Sequence, residues 1–414
     1  MSRYLHFTVN LIPGPLQASD GSHPFIDIDD FVRSAQLAEQ VRLDSVFFAD
    51  SQGIGPDGRS FAYLDPLVTL PALARETERI GLVATVSTTY TTPYALARAI
   101  LSLDHISHGR AGWNIITTME PTVARNFGLT QPPPRAERYR RAQEFAEVVE
   151  KLWVSWDDDV TATWDLRKLR RAPIDHHGEF FSVAGPLQLP RSRQGKPVIF
   201  QAGGSDDGID TAARFADAVF SVGVDEDASR TYRERLNKEA RSRRGDSAGV
   251  LVLPGIFLTV GSTDAEVQRL LHEAEQALEE SETVHRFLSR FDLDPEAVNL
   301  DGPVPPEVAV TDSTRSIGFA QGGVDLARRH PDLTLRRFIV LGGGGHRRIF
   351  GTPESITDEL IGWAERGAAD GFTVFVESLP QFAEHIVPRL WERGVHRREY
   401  TGTTLRDHFG QTDG

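Results

Sequence analysis

Gln201-Ala-Gly-Gly-Ser-Asp-Asp-Gly208 follows the apolar run Val198–Phe200 and opens a helical pattern. Glycines at such a turn let backbone approach a ligand closely, and a helix N-terminus presents free N–H groups to an anion. Ser205 can cap the helix or donate to a phosphate oxygen, and the residues alone leave both open. A second glycine run, Ile339-Val-Leu-Gly-Gly-Gly-Gly-His-Arg347, carries His346. That histidine either reaches a ligand as a proton donor or lies at the surface beside two arginines. Asp50 ends the apolar run Ser45–Ala49, as a carboxylate facing a ligand or as a cap for the next turn. Thr85-Val-Ser-Thr-Thr-Tyr90 ends another run with hydroxyls, and Trp113-Asn-Ile-Ile-Thr-Thr118 a third. Asn114 offers a donor and an acceptor to a ring edge, or satisfies buried backbone.

Other chemistries are disfavoured. The 414 residues contain no cysteine, which excludes disulfides, thiolate nucleophiles, Cys-zinc sites and iron–sulfur clusters. Asp175-His-His-Gly178 and Asp157-Asp-Asp159 lack further ligands at metal spacing, so no metal is expected. Neither G-x-S-x-G nor G-x-x-x-x-G-K-[ST] occurs, against a serine hydrolase or a P-loop NTPase. With 45 Lys+Arg against 59 Asp+Glu, the net charge of −14 argues against nucleic acid or anionic membrane as a partner. The start, MSRYLHFTVNLIPG, has no apolar signal region and no run of membrane-spanning length follows, so a cytoplasmic location is expected.

These side chains need elements to position them. Apolar runs at Leu5–Val9, Ser45–Ala49, Ile80–Val86, Ala111–Ile116, Pro197–Ala202, Ala218–Ser221, Leu251–Val260 and Phe372–Val376 read as strands. Helical patterns at Ile28–Val41, Asp65–Thr77, Pro93–His105, Ala136–Trp153, Ile209–Ala216, Thr263–Glu282 and Pro353–Arg366 alternate with them. Unpatterned apolar strands alternating with helices predict a parallel sheet covered by helices. Eight such strands predict an α/β fold of the TIM type, a (β/α)₈ barrel with loop insertions. An open doubly wound sheet is the alternative, but Leu11–Leu16 lacks its G-x-G-x-x-G turn. Residues 1–414 are expected to form a single domain, with insertions near 154–193 and 281–345. The arginine-rich stretch Arg167–Arg171 meets an anionic substrate if it lies on a lid, or is solvated.

Several stretches together resemble one family. Glu78–Gly128 contains STTY, PY-LAR, SLDH-S-GRAGWN and ARNFG in order, and Glu137-Arg-Tyr139 follows. Further on come QAGGSDDG, GHRRIFGTPESI, GAADGF and the tail GVHRREYTGTTLRDHFG. The chain resembles the bacterial luciferase-like flavin monooxygenases, in the branch of nitrilotriacetate monooxygenase component A, the pristinamycin synthase large subunit and dibenzothiophene-sulfone monooxygenase. The resemblance implies FMN at the C-terminal ends of the barrel strands. Asp50, Thr85 and Asn114 should then lie along the isoalloxazine and ribityl groups, and Tyr139, Gly204 and Ser205 at the phosphate. His346 and His23, in GSHPF, should approach the flavin–substrate space.

The resemblance also implies a two-component monooxygenase. A separate NAD(P)H:flavin reductase supplies FMNH₂, which reacts with O₂ to a C4a-(hydro)peroxyflavin, and a small organic substrate is hydroxylated, N-oxidised or cleaved at C–N or C–S. A deazaflavin-dependent oxidoreductase on the same barrel and a non-catalytic flavin-binding protein are the alternatives. A homodimer or homotetramer is expected by default. The chain departs from the family pattern in three places. Arg135 stands where a histidine is usual, and an arginine can pair with a phosphate as a fork. Gly204-Ser205 replaces a serine pair, and the tryptophan-arginine pair after the N-terminal histidine is absent.

Overall fold

The strands, in chain order, are His6–Asn10 (β1), Ser45–Phe48 (β2), Gly81–Ser87 (β3), Ala111–Ile116 (β4), His176–His177 (β5), Ser182–Val183 (β6), Val198–Gln201 (β7), Ala218–Ser221 (β8), Leu251–Val260 (β9), Arg347–Gly351 (β10) and Gly371–Phe375 (β11). This computed structural model describes residues 4–12, 26–53, 64–156, 170–278, 282–294, 298–310, 317–343 and 345–410. The main sheet runs β10-β9-β11-β1-β2-β3-β4-β7-β8, and β9 also pairs with β8. Eight strands thus close on one another, and the fold is a TIM-type (β/α)₈ barrel. All eight coincide with apolar runs in the sequence. β10 is added alongside β9 in parallel, from Arg347 opposite Ile256 to Gly351 opposite Val260. Its arginines and single-sided pairing give it no apolar run, which is why the sequence does not announce it.

The chain packs as two compact units. The N-terminal unit comprises Thr8–Ala202, Arg214–Ala218 and Arg398–Gly414. Its strands β2, β3 and β7 are buried at every residue, as expected where helices cover a parallel sheet. Asp65 caps the helix Pro66–Glu76 by accepting from the Leu67 N–H, with proline in the first turn. Gly81 and Gly112 leave room for the tail: a Cβ on Gly81 would lie 2.4 Å from Leu405 Cδ1. Much of the signature stretch is scaffold. Arg110, buried just before β4, donates to the carbonyls of Ser107, Ile80, Ala74 and Thr77 and to Thr77 Oγ1. Buried Asp104 accepts from the Ala111 N–H at 2.9 Å and from Gln194 Nε2 at 2.6 Å.

Within 154–193, β5 and β6 form an antiparallel pair. Glu144 pins it, accepting from His176 Nε2 at 3.0 Å and from the Phe180 and Phe181 N–H groups at 2.9 Å each. Asp157–Asp159 and most of the stretch from Arg167 lie outside the described residues; Arg171 covers the Trp156 ring at 5.3 Å.

The C-terminal unit comprises Met1–Phe7, Gly203–Ala213 and Val219–Arg397. One sequence expectation needs correction here. The helix expected at Thr263–Glu282 spans Asp264–Gln276. The stretch 281–345 holds helices at Glu282–Phe291, Ile317–Arg329 and Leu335–Val340. Phe287, Phe291, Val324, Leu335 and Phe338 gather there with Leu271 and Val224 in one apolar cluster. Each helix is short and its neighbours polar, so no long period stands out. Glu226–Arg244 also escapes a pattern reading, because only Ser229, Leu236 and Ala240 are buried on it. Thr352 caps the helix Pro353–Glu365 through the Ser355 N–H, as the sequence suggests.

Candidate active site

In the N-terminal unit, Thr85 and Asn114 are register partners on β3 and β4. Both are buried, and Asn114 Nδ2 donates to Thr85 Oγ1 at 3.0 Å. Asn114 Oδ1 is buried and has no hydrogen-bond partner among the described residues. An orphaned amide acceptor is costly, so Asn114 is not there to satisfy backbone. Asp50 lies two residues past β2, half-buried. Burial pushes its pKa up to about 6, the charge of Asp65 adds to this, and the Ser51 N–H opposes it. Asp50 is therefore a carboxyl group poised to change charge near neutrality. Thr118 Oγ1 donates to Ser87 Oγ at 2.7 Å, tying the ends of β3 and β4 together.

The helix Arg135–Trp153 brings a second group to this unit. The Arg135 guanidinium covers the Tyr139 ring at 5.8 Å. Arg138, which sequence reasoning passed over inside the Glu-Arg-Tyr triplet, is the buried member of the helix's first turn. Its Nη1 donates to the Pro133 carbonyl at 2.5 Å, and its Nε is buried without a partner. Tyr90 stacks on Phe127 with centroids 4.7 Å apart and planes 4° from parallel.

The C-terminal unit holds the glycine turn and His346. Ser205 Oγ accepts from the Gly208 N–H at 3.2 Å, so Ser205 does cap the helix Asp206–Phe215. Tyr232 Oη donates to the Gly203 carbonyl at 3.2 Å. A Cβ on Gly204 would lie 2.9 Å from Gly318 Cα, and one on Gly208 would lie 2.9 Å from Gly203 C. Close backbone packing thus explains Gly204: a serine there would collide with Gly318, whatever the hydroxyl could offer a ligand.

His346 stacks on Phe220, with ring centroids 4.8 Å apart and planes 4° from parallel, and Phe375 tilts against it at 5.0 Å. Phe375 in turn stacks on Phe257 at 4.0 Å. Gly255 on β9 makes the space, since a Cβ there would lie 2.3 Å from His346 Nδ1. The residue is half-buried, but Nδ1 is fully enclosed. Burial pushes the imidazole down to about 3, and the Arg290 cation adds to this. His346 is therefore neutral at physiological pH, not a surface imidazolium beside two arginines. Sequence reasoning missed Phe220, Gly255 and Phe375, which carry no motif and show only as apolar or small residues in strands.

The comparisons agree with this architecture. A family model described as luciferase-like monooxygenase matches residues 3–370. The chain belongs to the luciferase-like monooxygenases. Nitrilotriacetate monooxygenase component A of Aminobacter aminovorans is 38% identical, over 94% of this chain and 91% of that relative. N-acetyl-S-(2-succino)cysteine monooxygenase of Bacillus subtilis (strain 168) is 36% identical, over 96% of this chain and 92% of its own. Among solved structures, EDTA monooxygenase from Chelativorans sp. BNC1 superposes with a TM-score of 0.83 at 34% identity, covering 99% of this chain and 98% of that one. This luciferase-like monooxygenase is thus an enzyme that shares 94–99% of its length with named monooxygenases.

Of the residues expected at its site, Asp50, Thr85, Asn114, Arg135 and Tyr139 lie in the N-terminal unit, and Gly204, Ser205 and His346 in the C-terminal unit. His23 lies outside the described residues. Among the described residues no helix is long and apolar enough to cross a membrane, and no group of three His, Asp or Glu could hold a metal ion.

Proposed function

We propose that this monooxygenase is the oxygenating component of a two-component system. It takes FMN, reduced by a separate NAD(P)H:flavin reductase, together with O₂, and inserts one oxygen atom into a small organic substrate. The observation that carries this reading is the orphaned Asn114 Oδ1 beside Thr85. A buried acceptor and a hydroxyl side by side on neighbouring strands suit the N–H and carbonyl edge of an isoalloxazine. The glycine turn with Ser205 and the N-terminus of its helix suits a phosphate. The designation "component A" of the Aminobacter relative supports a separate reductase.

When bound, the reduced flavin supplies the electrons and the oxygen activation. The protein contributes binding, orientation and a dry, polarised surrounding. Asn114 and Thr85 fix the ring edge. Asp50, with its pKa near 6, can hold a proton or release it at neutral pH. The candidates for the phosphate are Ser205 and Gly204 in the C-terminal unit, and Tyr139 with Arg135 as a fork in the N-terminal unit. His346 stays neutral and acts through an imidazole N–H or lone pair, not as an imidazolium. Phe220 and Phe375 pack against its ring, and Phe257 stacks on Phe375 behind it.

Mixing the pure protein with photoreduced FMN and O₂ tests the reading. The expected result is saturable binding of reduced FMN and suppression of free H₂O₂ release. Unchanged autoxidation of FMN, with saturable binding of a reduced deazaflavin instead, would point to the hydride-transfer alternative.

A further inference from the structure

Three buried polar atoms on or beside one loop of the N-terminal unit have no hydrogen-bond partner among the described residues: Thr89 Oγ1, Tyr90 Oη and Arg138 Nε, with Arg138 and Tyr90 within each other's field. Arg138 and Thr89 are more than nine-tenths buried. Arg138 and Arg141 lie three residues apart on one helix and so share a face. Arg141 Nε donates to the Thr88 carbonyl at 3.2 Å, which turns that face toward residues 88–90. The loop itself is fixed. Thr88 Oγ1 donates to the Ile116 carbonyl at 3.0 Å, the Thr89 N–H to Ser87 Oγ at 3.2 Å, and the Tyr90 ring lies flat on Phe127.

Charge balance is missing here. Among the described residues no carboxylate lies within salt-bridge distance of Arg138. Glu120 is within its field, but it is exposed and its Oε2 accepts from the Met119 N–H at 3.1 Å. Arg135 adds a second positive charge on the same turn. Burial lowers the Arg138 pKa and raises that of Tyr90, so both groups carry uncompensated desolvation. A guanidinium edge, a phenol and a hydroxyl together offer donors and positive charge, and what they lack is an acceptor.

We infer that Arg138, Tyr90 and Thr89 form an oxyanion-binding subsite, with Arg138 as its charge and Tyr90 and Thr89 as its hydroxyl donors. The oxyanion is either the phosphate monoester of the cofactor or a carboxylate of the substrate. Only the first source rests on the flavin reading above, since inorganic phosphate and succinate probe the subsite without flavin.

The test uses the full chain and three variants: Arg138→Met, Arg138→Lys and Tyr90→Phe. Thermal stabilisation by phosphate and by succinate is measured first, then the dissociation constants of FMN and riboflavin. If the occupant is the cofactor phosphate, Arg138→Met weakens FMN at least about tenfold, leaves riboflavin within about twofold, and abolishes stabilisation by phosphate. If it is a substrate carboxylate, both flavins keep their affinity and stabilisation by succinate is lost instead. Tyr90→Phe, which keeps the stack on Phe127, shows the same pattern more weakly, and Arg138→Lys recovers part of it. The inference is overturned if folded Arg138→Met and Tyr90→Phe proteins match the parent in FMN-to-riboflavin ratio and in both anion responses. Failure of the parent to bind any flavin would count against the cofactor reading alone, because the anion titrations still report on the subsite.

Discussion

Two buried arginines flank the strand β4, and they are dressed in opposite ways. Arg110, at its N-terminal end, has donors on all three guanidinium nitrogens engaged by Ser107, Thr77, Ile80 and Ala74. Arg138, on the helix Arg135–Trp153, has one hydrogen bond, to the Pro133 carbonyl, and a buried Nε with no partner among the described residues. Around Arg110 the protein has supplied its own acceptors; around Arg138 it has left them out. Along the strands, Asp104 Oδ1 at the N-terminal side accepts from Ala111 and Gln194, whereas Asn114 Oδ1 within β4 and Tyr90 Oη past β3 have no partner among the described residues; Asp104 Oδ2 shares that lack. In this barrel type the N-terminal ends of the strands stabilise and the C-terminal ends react. Between the two arginines, hydrogen-bond satisfaction draws the contrast without reference to any ligand.

The comparison breaks first at Arg110. Arg110→Met leaves several buried carbonyls without donors and should destabilise the protein by about 3–5 kcal/mol. Arg138→Met removes a charge with few protein partners and should cost at most about 1 kcal/mol. Urea denaturation of the two variants side by side measures the gap. Equal losses would mean that Arg138 is scaffold too, and that its bare Nε carries no functional information.

Asn114→Leu sharpens the contrast from the other side. The substitution keeps side-chain volume, removes an orphaned oxygen and loses one bond to Thr85. Stability should stay within about 1 kcal/mol of the parent, while FMN affinity falls about tenfold. Flavin titration with a parallel melting curve reads both. A large drop in stability at unchanged affinity would reassign Asn114 to the scaffold.

How much of this was legible beforehand follows from the same distinction. All eight barrel strands show in the sequence because each is buried on both faces and reads as an apolar run. The capped helix starts at Asp65 and Thr352 show because one residue type decides them. The helices of 281–345 do not, since each presents only a few apolar side chains to a cluster assembled from distant segments. At the site, Asn114 and Ser205 could be singled out by residue type and position at a strand end. Arg138 could not: its meaning lies in what fails to contact it, and no linear pattern encodes an absent partner. Gly204 reads in sequence as a serine lost from a phosphate turn, and the structure adds a packing reason for the glycine, since a Cβ there would lie 2.9 Å from Gly318 Cα.

A smaller effect is expected at Ser205, where structure and ligand binding share one hydroxyl. Its Oγ caps the helix Asp206–Phe215 through the Gly208 N–H. Ser205→Ala should therefore cost about 1 kcal/mol of stability as a lost cap. If the turn holds the phosphate, FMN weakens relative to riboflavin as well. A stability loss with an unchanged FMN-to-riboflavin ratio would place this serine with Arg110 on the scaffold side.

The smallest effect belongs to His346, and its absence is informative. An imidazole held near pKa 3 does not change charge between pH 5 and 8, so it contributes no limb to the pH dependence of turnover in that window. Any limb near pH 6 should instead follow Asp50, whose pKa is raised to about 6, and should disappear in Asp50→Asn. The stability consequence of His346 has a definite sign. Its folded pKa lies below the unfolded value of 6.5, so the unfolded state binds the proton more tightly. The contribution of neutral His346 to stability is thus fully present above about pH 6.5 and is lost as pH falls toward 3. His346→Asn should flatten that acid slope while leaving the pH–rate profile between pH 5 and 8 unchanged in shape. A rate profile whose limb near pH 6 vanishes in His346→Asn, and persists in Asp50→Asn, would mean that the ring gains solvent or a counter-charge during turnover, and that the aromatic sandwich of Phe220 and Phe375 opens to let it do so.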